Sequence, residues 1–315
     1  NRYLTGNMYD NARTEDLWSA LEEQSGQPVT AIMDSWVKQM GYPVLRVESE
    51  QSEDQTRLSV TQERFVYDRL LGESEPDTEV WRVPISANPA GEDSEITVMD
   101  GRQAQLDIPG VDHDWIKVNP LQTGFFRVNY SANDWQRLVP PIESLELHAT
   151  DRLGIQNDAY ALSRAGLLPV TQFLSLAQAY RNENDASVWS DLASNLRDIE
   201  QLIYEEPMHP AYQGFAREIF SPAASKIGWD PESGEGHLDA AFYDRDRRIE
   251  AFARRDAFDA PQAAESIIGR VGDDGDLAIV SVALREVEQE PALSRAVRAD
   301  QQGHVGSELK SHGVD

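Results

Sequence analysis

The hydrophobic period of the chain changes from two to about 3.6 between Tyr130 and Ser131. Before this point, apolar and polar residues alternate in short β-branched-rich segments at residues 44–47, 57–61, 80–85, 95–98 and 105–108. After it, apolar residues recur at helical spacing, as in Val188, Leu192, Leu196, Ile199, Leu202 and Ile203. One change of period in 315 residues predicts a multi-domain protein with a strand-rich region followed by a helical one.

The strand-rich region predicts a β-sandwich over residues 41–130, with about seven short strands and polar turns between them. Its last two strands, at residues 115–118 and 126–130, are predicted to form a β-hairpin, with a turn in which Pro120 fixes φ and Gly124 takes positive φ. We expect Trp115, Phe126 and Val128 to lie in or beside the core. Phe125 should then face the opposite side of its strand.

Residues 1–40 are predicted to be helical. Thr14 is the expected N-cap of one helix, which Gly26 ends, and Pro28 suits the first turn of the next. The predicted buried face of that second helix consists of Ile32, Met33, Trp36, Val37 and Met40.

The helical domain is predicted to span residues 131–298 as antiparallel helices joined by short turns, resembling an α-solenoid or α/α superhelix. Ser131 and Thr150 are expected helix caps, and Pro169 begins another helix. No fixed sequence repeat accompanies this pattern. Residues 299–315 are polar and rich in glycine, which predicts a disordered tail.

Three stretches, at residues 9–44, 115–130 and 151–166, together resemble parts of the zinc aminopeptidases of the aminopeptidase N type. Residues 115–130, which contain the strands W-I-K-V-N and G-F-F-R-V-N-Y, resemble the end of the family's β-sandwich. Residues 9–44 are similar to its passage from the last helices of the catalytic domain into the sandwich, and residues 151–166 to the opening of its helical C-terminal domain. The order is that of the family, and the resemblance covers roughly residues 3–230.

The catalytic motifs of that family are missing from this sequence. Its zinc is held by an H-E-x-x-H helix and a further Glu, and its Gly-rich motif helps to bind the free amine of the substrate. None of the six histidines (113, 148, 209, 237, 304 and 312) belongs to an H-E-x-x-H motif. The resemblance therefore predicts a C-terminal part whose catalytic region lies upstream, with zinc in the intact enzyme but no cofactor, metal ligand or catalytic residue here. We expect the chain alone to be inactive.

Composition and charge limit the partners. The net charge of −27 opposes binding to nucleic acid, and no apolar run reaches the length of a membrane span. The N-terminal residues lack the features of a signal peptide, so we expect a cytoplasmic protein, and the absence of Cys excludes disulfides. Only four basic residues are Lys, and such an acidic, Lys-poor surface is typical of halophilic proteins, in which salt screens self-repulsion.

Several residues could carry other chemistry, but each has a simpler interpretation. His113 between two Asp is more consistent with a polar loop than with a metal site, and the acidic turn at residues 273–276 lacks the spacing of a calcium loop. Ser35 and Ser163 have no His nearby in sequence. Asn129 begins a glycosylation sequon that is idle without secretion.

Two functional hypotheses remain. In the first, the chain is the non-catalytic portion of an aminopeptidase that removes N-terminal residues from peptides, and its helical domain shapes the substrate chamber. In the second, it is a free-standing peptide- or protein-binding or assembly module without a catalytic role.

Overall fold

The computed structural model describes residues 2–227, apart from residues 7, 9–10, 53, 68–77, 91–95 and 111–112. These residues form two compact units, which meet in sequence between Leu138 and Val139. We call residues 2–138 the strand unit and residues 139–227 the helical unit. The acidic turn at residues 273–276 and the tail predicted to be disordered lie outside the described residues.

Three helices open the strand unit: α1 (Arg2–Gly6), α2 (Thr14–Ser25) and α3 (Val29–Val37). Gly26 ends α2 with a φ of 68°, as predicted. Thr14, however, is already helical, and the cap position is taken by Arg13, whose main-chain N–H donates to Asp16 Oδ2 at 2.8 Å. The acidic residue of the first turn thus replaces the expected hydroxyl cap.

The buried face predicted for α3 is only partly correct. Ile32, Met33 and Trp36 are half-buried, whereas Val37 and Met40 are 62% and 77% exposed. Side chains of α3 instead form hydrogen bonds to the main chain of β3. Ser35 Oγ accepts from the main-chain N–H of Arg82 at 3.0 Å. Trp36 Nε1 also donates to the carbonyl of Arg82 at 3.0 Å, which attaches α3 to the strands.

Among the residues that the structure describes, eight strands follow, and they form one four-stranded sheet and two two-stranded sheets. The strands are β1 (Pro43–Gln51), β2 (Gln55–Arg64), β3 (Arg82–Ile85), β4 (Ala87–Pro89), β5 (Thr97–Asp100), β6 (Gln103–Pro109), β7 (Ile116–Val118) and β8 (Arg127–Tyr130). The larger sheet has the order β6-β2-β1-β8, and β3 pairs with β5. Its β1–β8 pair is parallel, with Leu45 opposite Val128.

The predicted hairpin of β7 and β8 is wrong. β7 pairs with β4, and β8 pairs with β1, so the two strands lie in different sheets. The chain between them passes through a short 3₁₀ helix, Pro120–Gln122, with positive φ at Asn119, Leu121 and Gln122 rather than at Gly124. This left-handed backbone redirects the chain, so the tight turn required for a hairpin does not form.

The positions expected for Trp115, Phe125, Phe126 and Val128 are confirmed. Phe126 and Val128 are buried, as is Trp115, whereas Phe125 is 72% exposed. A Cβ added at Gly124 would clash with the ring of Phe126, so this glycine allows the ring to pack close to the backbone. Phe126 and Val128 therefore face inward as expected, although the partner strand of β8 is different.

Six further helices complete the description: α4 (Ala132–Arg137), α5 (Val139–Glu143), α6 (Ala149–Arg164), α7 (Val170–Ala177), α8 (Ala186–Leu202) and α9 (His209–Ile227). Ser131 caps α4 as predicted, accepting from the N–H of Asp134. The cap of α6 is His148 rather than Thr150, because His148 Nδ1 accepts from the N–H of Thr150 at 3.2 Å. Within the described ranges, every helix falls short of the length and apolar character that a bilayer crossing requires.

Candidate functional site

A buried ion pair lies at the centre of the helical unit. Arg152 on α6 donates from Nε and Nη2 to the two carboxylate oxygens of Glu183, at 2.6 and 2.7 Å. Nη1 donates to the carbonyl of Leu147. The side chains of Arg152 and Glu183 are 5% and 0% exposed. Because a bidentate pair fixes both planar groups, it holds α6 against the loop that precedes α8.

That loop is fixed by further hydrogen bonds. Glu183 Oε1 also accepts from the main-chain N–H groups of Asn184 and Asp185, at 2.8 and 2.9 Å. The indole of Trp189 donates to the Glu183 carbonyl at 3.0 Å. Asp185 in turn caps α8, because its Oδ1 accepts from the N–H groups of Ser187 and Val188. The start of α8 is therefore held rigidly beside α6.

A second polar contact joins the two helices one turn further along. The fully buried Gln156 donates from Nε2 to the carbonyl of Val188 at 2.9 Å and to Asp191 Oδ2 at 3.3 Å. Asn195 Nδ2 donates to the same oxygen of Asp191 at 3.2 Å. Two buried amides thus orient the carboxylate of Asp191.

Asp191 is one of the residues that line a pocket between α6 and α8. The pocket has a volume of about 330 Å³ and is lined by Leu153, Asn157, Ser187, Ser190, Asp191 and Ser194. The four residues from α8 have the spacing i, i+3, i+4 and i+7, which places them on one face of the helix. The pocket therefore offers hydroxyl groups, one amide, one carboxylate and one apolar wall.

Burial and pairing shift several pKa values around this region. Hydrogen bonding to Glu183 raises the pKa of the Arg152 guanidinium, so this group stays charged. Burial, reinforced by the carboxylate of Glu183, raises the pKa of Tyr180, whose hydroxyl donates to the Arg152 carbonyl at 2.7 Å. Burial and the nearby Asp198 likewise raise the pKa of Tyr160.

The strand unit contains its own buried cation. Lys117 on β7 donates from Nζ to the carbonyls of Val118 and Asn119, at 2.5 and 3.1 Å. Asn119 holds Gly124 from both sides, with Oδ1 accepting from its N–H at 2.7 Å and Nδ2 donating to its carbonyl at 2.9 Å. The hydroxyl of Tyr130 accepts from the N–H of Val118 at 2.9 Å. These contacts fix the loop that separates β7 from β8.

The residues singled out in the sequence are not brought together by the structure. His113 Nε2 lies 3.0 Å from the carbonyl of Pro109, and Ser163 Oγ donates to the carbonyl of Ala159 at 2.8 Å. Ser35 lies on α3 and contacts β3, and Asn129 is buried in β8. Each of these residues therefore has a local structural position, and we assign no catalytic or metal-binding role to any of them.

We tested whether side chains present here could hold the zinc that the resemblance implies. His148 caps α6, and His209 Nε2 lies 3.0 Å from Glu200 Oε1. Among the described residues, no three His, Asp or Glu side chains are grouped as metal ligands. The described part of the chain thus does not fit a zinc centre, and we derive no zinc chemistry from it.

Arg152, Glu183 and Asp191 were not predicted from the sequence. Asp151-Arg152 begins the stretch that resembles the family's helical domain, and that was the available signal. Glu183 stands in the run Asn-Glu-Asn-Asp, which has the composition of a solvated turn. A charged residue that is buried cannot be told from an exposed one when its partner lies 31 positions away.

Comparisons with known proteins identify the family. Residues 115–286, more than half of the chain, match the family model described as the ERAP1-like C-terminal domain. Aminopeptidase M1-A of Oryza sativa subsp. japonica is 36% identical over 247 residues, which are 76% of this chain and 27% of that protein. Aminopeptidase A of Gloydius brevicauda is 33% identical over 250 residues, 75% of this chain and 25% of that protein.

A third relative matches a similar share of this chain. Puromycin-sensitive aminopeptidase of Caenorhabditis elegans is 33% identical over 240 residues, 74% of this chain and 25% of that protein. The chain spans about a quarter of the length of these curated relatives. The resemblance found in the sequence is confirmed: the chain belongs to the ERAP1-like C-terminal domain family and corresponds to the C-terminal part of an M1 aminopeptidase.

Proposed function

We propose that this chain is the non-catalytic C-terminal portion of a zinc-dependent aminopeptidase that removes N-terminal residues from peptides. The match of residues 115–286 to the ERAP1-like C-terminal domain carries this proposal. The relatives named above are aminopeptidases about four times as long as the matched region, which leaves room for a separate catalytic region. The metal and the catalytic residues would belong to that region.

The exposed apolar residues of the first helices support this division. Leu4, Met8, Leu17, Leu21, Val37 and Met40 are all exposed, although they lie within 37 residues of one another. Trp18 is the buried residue of α2, and α3 has none. Such a concentration of exposed apolar side chains suits contact with further protein. We propose that residues 1–40 are the end of a catalytic domain and contact its preceding part.

We assign contact with the substrate to the predicted helical domain, which includes the helical unit. We propose that residues 131–298 form a solenoid-like domain whose concave face closes a chamber over the zinc site and limits the size of the peptide. Residues 41–130 would form a β-sandwich that separates it from the catalytic domain. The rigid start of α8 and the polar pocket beside it give this domain a surface that can contact an extended peptide.

The test uses the intact polypeptide encoded together with this chain, compared with the 315-residue chain alone. Its coding sequence upstream of Asn1 should contain the H-E-x-x-H motif, and the intact protein should hydrolyse aminoacyl arylamides in a chelator-sensitive reaction. The 315-residue chain should show no such turnover. Zinc-dependent hydrolysis by the purified chain alone would contradict the proposal.

The role of the helical unit requires a second measurement on the intact protein. Filling the pocket by Ser194→Leu should change the rate of hydrolysis of long peptides but leave that of arylamides, which are too short to reach it. Glu205→Gln, outside the pocket, is the matched control. Equal effects of Ser194→Leu on both substrates would argue against a chamber formed by this unit.

A further inference from the structure

We propose that the pocket between α6 and α8 binds the cationic side chain of a Lys or Arg in a peptide. This inference rests on the proposed function, since it takes the helical unit to contact peptides, and it names the kind of residue that is recognised. The pocket is formed by Leu153 and Asn157 on α6 and by a polar face of α8.

The charge and rigidity of Asp191 favour a cation. It is the one ionisable side chain among the six described residues that line the pocket. Its Oδ2 accepts from the amides of Gln156 and Asn195, both buried, which fix the carboxylate in place. A carboxylate that is already oriented loses little freedom when a ligand binds, so a charge-assisted hydrogen bond to it is efficient.

The start of α8 does not favour an anion. The first N–H groups of a helix commonly attract a carboxylate or phosphate, and the C-terminus of a peptide could use them. Here Asp185 Oδ1 already accepts from the N–H groups of Ser187 and Val188, at 2.8 and 3.1 Å. An anion would thus find these two N–H groups already occupied by the carboxylate of Asp185, and the negative charge of Asp191 in the pocket lining would repel it.

The remaining walls suit an aliphatic stem that ends in a donor group. Leu153 offers an apolar surface to methylene groups, and the hydroxyls of Ser187, Ser190 and Ser194 offer acceptor oxygens. A volume of about 330 Å³ accommodates one long side chain and not a folded segment. A Lys or Arg side chain fulfils these conditions, because both carry several donors and no acceptor.

The test compares two blocked peptides, acetyl-Ala-Leu-Lys-Ala-amide and the same peptide with norleucine in place of Lys. Amide NMR signals of the full chain report binding at Ser190 and Ser194. We expect the Lys peptide to shift these signals and to bind about tenfold more tightly than the norleucine peptide, as a hydrogen bond to a charged group implies.

Two variants and one control make the result specific. Asp191→Asn should abolish the tenfold preference, so that both peptides bind about equally. Ser194→Leu should weaken binding of the Lys peptide by about tenfold, because the larger side chain fills the pocket. Glu205→Gln removes one negative charge from an exposed position and should leave the preference unchanged. Unchanged thermal midpoints of the variants show that each still folds.

The outcomes separate this inference from the proposed function. Equal binding of both peptides, unaffected by Asp191→Asn, overturns the cation site but retains peptide contact. Saturation of the same signals by KCl alone, with no preference between the peptides, also overturns it, since the pocket then holds an inorganic cation. If neither peptide shifts any signal of the helical unit, the inference fails and the proposed function loses its peptide-binding domain.

Discussion

Each unit buries a cation among its described residues, and the hydrogen bonds described for the two cations differ. Lys117 in the strand unit is 1% exposed and donates to main-chain carbonyls. Arg152 in the helical unit is 4% exposed and is paired with a carboxylate. Carbonyl oxygens can each accept from a compact ammonium group, whereas the two oxygens of a carboxylate match the fork of a planar guanidinium.

The difference also concerns distance along the chain. The carbonyl partners of Lys117 belong to the next two residues, so this cation closes its own loop. Glu183 lies 31 positions after Arg152 and joins two separate helical elements. Burying a charge therefore stabilises a local loop in one unit and the tertiary arrangement in the other.

The largest predicted effect is the loss of the Arg152 counter-charge. Glu183→Ala leaves a buried guanidinium without its carboxylate and should reduce the free energy of unfolding of the helical unit by about 3–5 kcal/mol. Denaturant unfolding followed by the fluorescence of Trp189, which also contacts Glu183, measures this change.

A double variant sharpens the comparison. Arg152→Met combined with Glu183→Leu removes both charges and should recover much of the loss, because well-packed apolar residues can replace a buried pair. A single substitution that loses less than about 1 kcal/mol would show that water reaches the guanidinium, and the contrast with Lys117 would then fail.

The second predicted effect is smaller. Lys117→Met keeps the length of the side chain but leaves the carbonyls of Val118 and Asn119 without this donor, so we expect a loss of about 1–3 kcal/mol. Thermal unfolding of the strand unit measures it, and Lys38→Met on the exposed end of α3 is the control. A loss as large as that of Glu183→Ala would mean that carbonyls and a carboxylate hold a buried cation equally well.

The third prediction concerns high pH. Burial raises the pKa of Tyr180 and Tyr212. Because these pKa values are higher in the folded than in the unfolded state, the stability that they contribute is complete below about pH 10 and decreases as the pH rises further. Thermal midpoints between about pH 8 and pH 11 should show this decrease.

Replacing these phenols identifies their contribution. Tyr180→Phe combined with Tyr212→Phe should flatten the decrease with pH, although each change also removes a buried hydrogen bond. A profile that stays equally steep would assign the loss to other groups, and the network around Arg152 would then not be the pH-sensitive part of the helical unit.

The smallest predicted effect is the response of these differences to salt. With a net charge of −27, the whole protein should gain about 1 kcal/mol or more of stability in molar KCl, where the Debye length is about 3 Å. The loss caused by Glu183→Ala should change by less than about 0.5 kcal/mol, because buried pairs are screened little. A thermal midpoint that stays flat or falls with KCl would contradict the expected adaptation to salt.

Features set by a few neighbouring residues could be predicted from the sequence. Ser131 caps α4, Gly26 ends α2, and the apolar spacing of Phe126 and Val128 predicts that both are buried. Each depends on the conformational preference of one residue or on the period of a short segment. The stripe of α8 is mostly confirmed for the same reason, although Leu202 at its end is exposed.

Features that depend on distant partners could not be predicted in this way. β7 pairs with β4, a three-residue strand ending in Pro89 that carries little strand signal of its own. Lys117 is buried although it is charged, and its acceptors include the carbonyl of Asn119, whose backbone is left-handed. The candidate site depends on Glu183 and Asp191, whose roles follow only from the packing of α8 beside α6.

The parallel pairing of β1 with β8 has a consequence for synthesis on the ribosome. Residues 44–47 of β1 pair with residues 127–130, so this edge of the sheet stays open while about eighty residues are translated. An uncovered strand edge can pair with another nascent chain, and contacts of such long sequence separation form slowly. Release of the segment around Tyr130 from the exit tunnel is thus the step that ends the exposure of β1 to aggregation.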